Sequence, residues 1–199
     1  MGLEENLRMA TKVACVVRQQ VPKSSNTDWT SSPIKFTSGN QIKIINRVPN
    51  WKLDEEVRQH LDTDLPTTPQ GWLKSFSEID KLCQKKGMGN CGELAAMACL
   101  RLRNLRAFPV ELVEIWDGIT NNPALPHVIC VIGRTQIDGP HIWPSDGSSI
   151  GLPNSWHTDA VICDPWDRVA YPANDYEPFW SNLIKLAKGS LSCILMHQL

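Results

Sequence analysis

Gly87-Met88-Gly89-Asn90-Cys91-Gly92-Glu93-Leu94-Ala95-Ala96-Met97-Ala98 is the stretch from which the fold can be read. A glycine-punctuated turn runs into a helical pattern, and a cysteine stands at the junction. Leu94, Ala95, Met97, Ala98, Leu102 and Leu105 recur at helical spacing, which predicts a buried helix starting near Cys91. Gly87 and Gly89 suit the unusual backbone angles of a tight turn, and Asn90 is placed to cap the helix. A cysteine in the first turn feels the positive end of the helix dipole, which favours thiolate, the nucleophilic form. The competing reading is a buried cysteine acting as a small hydrophobe.

Upstream of that stretch, Leu3, Leu7, Ala10, Val13, Ala14 and Val17 mark an amphipathic helix over residues 3–19, ended by Pro22. Gln41–Val48 alternates as a short strand or extended arm. Leu53–Leu61 reads as a helix with Asp54, Glu55 and Glu56 at its start, and Trp72–Cys83 as another that leads to the cysteine turn. Downstream the pattern changes. Pro109–Trp116, Pro126–Gly133 and Asp159–Asp164 are short, Val/Ile-rich and bounded by turn residues. Tyr176–Ala187 reads as one helix and Leu191–His197 as a closing strand. Helices followed by strands with irregular connections predict an α+β fold with a mainly antiparallel sheet. Residues 1–70 would form an N-terminal helical and extended part, a cap or substrate arm. Residues 71–199 would form the core, the whole being one compact domain.

The composition narrows the function classes. The chain has 199 residues, 42% of them hydrophobic, with eight tryptophans, enough for a packed core. A formal net charge of −1 leaves no footprint for nucleic acid, and no apolar run reaches bilayer-spanning length. Seven cysteines lack any Cys-x-x-Cys pair, and the first residues have no signal-peptide arrangement. This points to reduced thiols in a cytosolic-type setting, with no metal framework. Export by a dedicated secretion system stays compatible with it.

His127 begins one predicted strand and Asp164 ends another. By alternation His127, Ile129 and Val131 share one face, as do Ala160, Ile162 and Asp164. With the Cys91 helix packed across that face, thiol, imidazole and carboxylate converge, the arrangement of nucleophilic catalysis. Gly89-Asn90-Cys91-Gly92-Glu93, Pro126–Gly133 (PHVICVIG) and Val161–Trp166 (VICDPW) resemble, in that order, the cysteine helix, histidine strand and Asp-Pro strand end of the transglutaminase-like branch of the papain-type fold. The continuation Asp167–Pro172 (DRVAYP) is similar to runs in bacterial secreted effectors with this core. The resemblance covers about residues 75–175 by motif order alone.

It implies Cys91 as nucleophile, His127 as base and Asp164 as the residue orienting it, acting on a protein substrate such as a host protein, without a cofactor. Glutamine-directed chemistry, transglutaminase or deamidase, is the first expectation. A cysteine protease is the alternative, and a catalytically silent protein-binding module the alternative of another class. Cys91 is followed by Gly-Glu instead of an aromatic residue, and no calcium-loop pattern is visible, so calcium activation is not implied. Gln84 resembles the upstream glutamine that donates to the oxyanion in papain-like enzymes, with Asn90 in support. Trp166 would shield the His–Asp bond or simply fill the core. Trp116, Trp143 and Trp156 would line a substrate groove. His141 and His157, in the long loop over residues 139–157, are rival bases; Cys99, Cys130 and Cys163 read as inert core thiols.

Overall fold

The structure is a computed structural model, and it describes residues 1–22, 69–117, 127–134, 149–187 and 191–199. Five α-helices and five strands lie in these segments: α1 (Leu3–Gln20), α2 (Pro69–Lys86), α3 (Cys91–Asn104), β1 (Val110–Asp117), β2 (His127–Ile132), β3 (Val161–Asp164), β4 (Val169–Pro172), α4 (Tyr176–Phe179), α5 (Ser181–Leu186) and β5 (Leu191–Gln198). The strands form one antiparallel sheet in the order β4-β3-β2-β1-β5. The chain is therefore α+β. The predicted strand at 41–48 and helix at 53–61 fall outside the described residues.

Antiparallel sheets often leave one face wet, and their strands then alternate polar and apolar. Here both faces are covered, which is why β2 and β3 read as near-continuous apolar runs. Leu112, Cys130, Ile132, Val161 and Cys163 pack under α1 and α3. Val113, Ile129, Val131 and Ile162 pack against Trp156, Tyr171, Tyr176 and Trp180. The helical layer thus lies on the face opposite Ile129, Val131 and Ile162, not across them as alternation from His127 and Asp164 had suggested. Convergence of those two residues with Cys91 has to occur at the strand ends.

Small residues let α1 sit close to the sheet. Ala10 and Ala14 are fully buried, and the Cys163 thiol donates to the Ala10 carbonyl at 3.4 Å. The Asn6 amide donates to the Asp159 carbonyl at 2.9 Å and passes over Gly133, whose φ is +74°. A Cβ on Gly133 would stand 2.3 Å from the Asn6 amide nitrogen and 2.6 Å from the Asp159 oxygen, so only glycine fits. α1 is thus part of the helical layer over β3 and β4.

α2 ends where Gly87 takes φ +68° and its N–H returns to the Cys83 carbonyl at 2.7 Å, a left-handed helix stop. Gly89 does not adopt a left-handed φ; it lies buried beside the Cys83 sulfur and Leu94. The predicted single helix over 176–187 is two short ones broken at Trp180, whose indole N–H donates to the Tyr171 hydroxyl at 2.8 Å. That contact holds the fully buried Trp180 ring in the core at the expense of helical continuity.

Candidate active site

The topology brings specific chain ends to one rim of the sheet. Five residues, 105–109, separate α3 from β1, so β1 runs back along α3, and the Cys99 thiol lies 3.5 Å from the Glu111 carbonyl near the start of β1. The start of α3 and the end of β1 therefore share one end. Antiparallel pairing of β1 with β2 and of β2 with β3 sends the start of β2 and the end of β3 there too. Those termini carry Cys91, His127 and Asp164.

His127 Nε2 and Asp164 Oδ2 are 2.6 Å apart, a short charge-assisted hydrogen bond with the ring N–H donating. Asp164 is 3% exposed and the His127 side chain 17%. The other carboxylate oxygen is also engaged: Asp164 Oδ1 accepts the Trp166 N–H at 3.0 Å and the Asp167 N–H at 3.4 Å. Asp164 is thus both the turn former expected of an Asp-Pro pair and the imidazole's partner. The turn closes with Arg168 at φ +61° and its N–H on the Pro165 carbonyl at 3.3 Å.

The Cys91 side chain lies within hydrogen-bonding reach of the His127 ring. With Nε2 committed to Asp164, Nδ1 is the nitrogen left for the thiol. Burial pulls the imidazole down, but the Asp164 charge and hydrogen bond, with a further push from Cys91, carry His127 up to about 10 from 6.5. It therefore holds its proton through the neutral range. The Trp166 ring meets the imidazole edge-on, with centroids 6.4 Å apart at 77°, and packs against the helical-side core. It flanks the His–Asp bond and fills the core at once. Asp167, in the same turn, is raised by burial and by the Asp164 charge, with His127 and Arg18 opposing.

α3 begins at Cys91, with Asn90 as its N-cap in a capping box with Glu93. The Glu93 carboxylate accepts the Asn90 N–H at 2.7 Å, and the Asn90 carbonyl accepts the Leu94 N–H at 2.9 Å. Both Asn90 and Glu93 are buried, at 4% each. Such caps stabilise a helix start by about 1 kcal/mol. The capping box takes the Glu93 N–H onto the Asn90 side chain, while the Cys91 N–H, at the first position, has no acceptor along the helix. Asn90 thus supports Cys91 through the backbone. Glu93, three residues after Asn90 as a capping box requires, is the site neighbour that the sequence reading missed.

Several expected residues lie elsewhere. Gln84 is exposed on α2, and its amide donates to Asp80 one helical turn back at 3.0 Å. Asp80 also accepts Arg101 of α3 at 2.8 Å, so Gln84 belongs to a polar clasp between helices. Continuation of α2 through Lys86 is what turns it there. Trp156 is 7% exposed in the core of the other sheet face, with its indole N–H on the Ile150 carbonyl at 2.9 Å. It lines no groove beside Cys91. The connection holding it joins β2 and β3 at their other ends, remote from His127. His157 lies there too, exposed, with Nδ1 accepting the Asp159 N–H at 3.2 Å and 3.8 Å from that residue's carboxylate. Trp116, half-buried one residue from the end of β1, is on the rim. His141 and Trp143 fall outside the described residues.

Cys99, Cys130 and Cys163 are fully buried, and burial pushes the Cys130 and Cys163 thiols well up. Only Cys15 is exposed and only Cys91 intermediate among the seven cysteines. Among the described residues no group of three or more His, Cys, Asp or Glu is placed to hold a metal ion, and no helix is long and apolar enough to cross a membrane. No protein-family model, no curated protein and no solved structure matches this chain.

Proposed function

We propose that the chain is an enzyme that transfers an acyl group from a protein substrate through a Cys91 thioester, on a papain/transglutaminase-like core. One observation carries this reading: the His127 ring bonds a buried carboxylate at 2.6 Å while reaching the only partly exposed thiol at a helix start. Thiol, imidazole and carboxylate in that relation are what covalent acyl transfer requires.

In the proposed cycle Cys91 reacts as a thiolate paired with the His127 imidazolium, which Asp164 stabilises, so no proton has to move before attack. The thiolate sulfur attacks the carbonyl carbon of a glutamine side-chain amide. Negative charge on the oxygen is met by the Cys91 N–H at the start of α3. The C–N bond breaks, His127 gives its proton to the leaving nitrogen, and ammonia departs from a thioester. His127 then takes a proton from the acceptor as it attacks. Water as acceptor gives glutamate, and a primary amine gives a crosslink. A main-chain amide in place of glutamine gives proteolysis by the same steps.

Intact mass spectrometry of candidate protein substrates, incubated with the chain or with Cys91→Ala, tests this with and without a primary amine. A Cys91-dependent gain of about one mass unit identifies deamidation, an amine adduct transglutamination, and fragments proteolysis. No Cys91-dependent change together with slow alkylation of Cys91 would instead favour a protein-binding module.

A further inference from the structure

Resting on the acyl-transfer reading, we infer that Glu93 is the positioning residue for the oxyanion donor, setting the direction of the Cys91 backbone N–H. The backbone around Asn90 carries this. Its C=O and the Cys91 N–H belong to one trans peptide, so they point in opposite directions. The C=O is drawn along α3 to the Leu94 N–H at 2.9 Å, which aims the Cys91 N–H out of the helix toward the rim.

The preceding peptide is fixed by a different bond. The Asn90 N–H donates to Glu93 Oε2 at 2.7 Å, from a carboxylate on a side chain only 4% exposed. Held on both sides, Asn90 has φ −92° and ψ −178°, and that ψ sets the plane of the Asn90–Cys91 peptide. Loss of the Glu93 acceptor frees the Gly89–Asn90 plane, so that the φ and ψ of Asn90, and with them the direction of the Cys91 N–H, are held by the Asn90–Leu94 bond alone. The direction then relaxes, while the thiol stays beside His127.

Two reactions of one sulfur separate this role from simple support of the helix. With p-nitrophenyl acetate, the Cys91 thiolate attacks the acetyl carbon, an oxyanion forms, the C–O bond breaks and p-nitrophenolate leaves. With iodoacetamide, the thiolate displaces iodide from a saturated carbon and no oxyanion forms. Both are followed on the full chain by peptide mass spectrometry, with Cys15 as internal reference, and folding of each variant is checked by thermal melt. Glu93→Ala is expected to slow Cys91 acetylation about 100-fold and leave alkylation within about threefold. Glu93→Gln, whose side-chain oxygen still accepts the Asn90 N–H, should keep acetylation within about fivefold of wild type. If Glu93→Ala is poorly folded, Glu93→Asp, with the acceptor withdrawn by one methylene, carries the same comparison. Equal loss of both reactions, or unchanged acetylation, overturns the positioning role alone. Wild-type Cys91 acetylated no faster than Cys15 overturns the acyl-transfer reading and this role with it.

Discussion

The two ends of the sheet each hold a buried carboxylate in a short bond to a cationic partner, and they are built for different ends. At one, Asp164 meets His127 at 2.6 Å. At the other, Arg134 donates to fully buried Glu111 through Nε and Nη2, each at 2.7 Å, and Gln198 donates to the same carboxylate at 3.2 Å. Burial raises the Glu111 carboxyl, with the Arg134 bond and charge opposing. The Arg134 guanidinium lies 6.0 Å from the centroid of the Trp156 ring. A buried ion pair alone therefore does not mark a site. Arginine cannot give up its proton and its fork is used on the carboxylate, so that end is a fastening. Histidine can move a proton, and its free nitrogen faces a partly exposed thiol.

Removing the imidazole should have the largest effect. His127→Ala should lower Cys91-dependent turnover by about 10³-fold or more with the fold retained, while His157→Ala leaves it unchanged. Steady-state assays beside circular dichroism check both. Full activity in His127→Ala would dissolve the distinction between the two ends.

Next in size is the fastening. Arg134→Ala strands the Glu111 charge in the core and should cost about 3–5 kcal/mol in denaturant unfolding, with Cys91 alkylation of the folded protein unchanged. Replacing both partners by leucine should cost much less, because no buried charge is left alone. A change in Cys91 reactivity in either variant would show that the two ends are coupled.

Asp164→Asn separates shape from charge at the rim. Turnover should fall by about 100-fold, less than in His127→Ala, since the side chain still occupies the turn. The smallest effect is in stability against pH. His127 has its folded value raised to about 10 above 6.5, so its contribution is fully present below about pH 6.5 and is lost as pH rises through about 10. Wild type should therefore lose more melting temperature between pH 7 and 10 than His127→Ala does. Parallel curves would mean that the Asp164 pairing is not felt.

Much of this was readable in the residues. Helical spacing gave α1, α2 and α3 within a few residues, and short Val/Ile runs gave β1, β2, β3 and β5, because burial imposes those periods directly; β4 (Val169–Pro172), only four residues long and following a turn, was not read as a strand. Cys91, His127 and Asp164 stood out as chemistry-bearing side chains at element ends. What stayed hidden depends on packing between distant segments. The face that α1 and α3 cover is the one carrying Leu112, Cys130, Ile132, Val161 and Cys163, and no local pattern encodes that choice. Gln84 follows Asp80 by four residues, a helical pair that only becomes a clasp once Arg101 arrives from α3. Trp156 looked like a groove residue because its loop is polar, yet its ring is core. Glu111 was not singled out in the sequence, because its partner Arg134 lies 23 positions on and no local pattern joins the two. The Asn90-x-x-Glu93 spacing is that of a capping box, but the burial of Glu93 beside Cys91 is set by packing.

The most direct measurement is the alkylation rate of Cys91 relative to Cys15 at near-neutral pH, resolved by peptide mass spectrometry in wild type and His127→Ala. Cys15 is exposed, Cys91 only partly so, and the other five thiols are buried. A thiolate paired with His127 should make Cys91 the faster of the two despite its lower exposure, and His127→Ala should remove that advantage. Cys15 reacting faster in wild type, or a Cys91 rate indifferent to His127→Ala, would contradict the account.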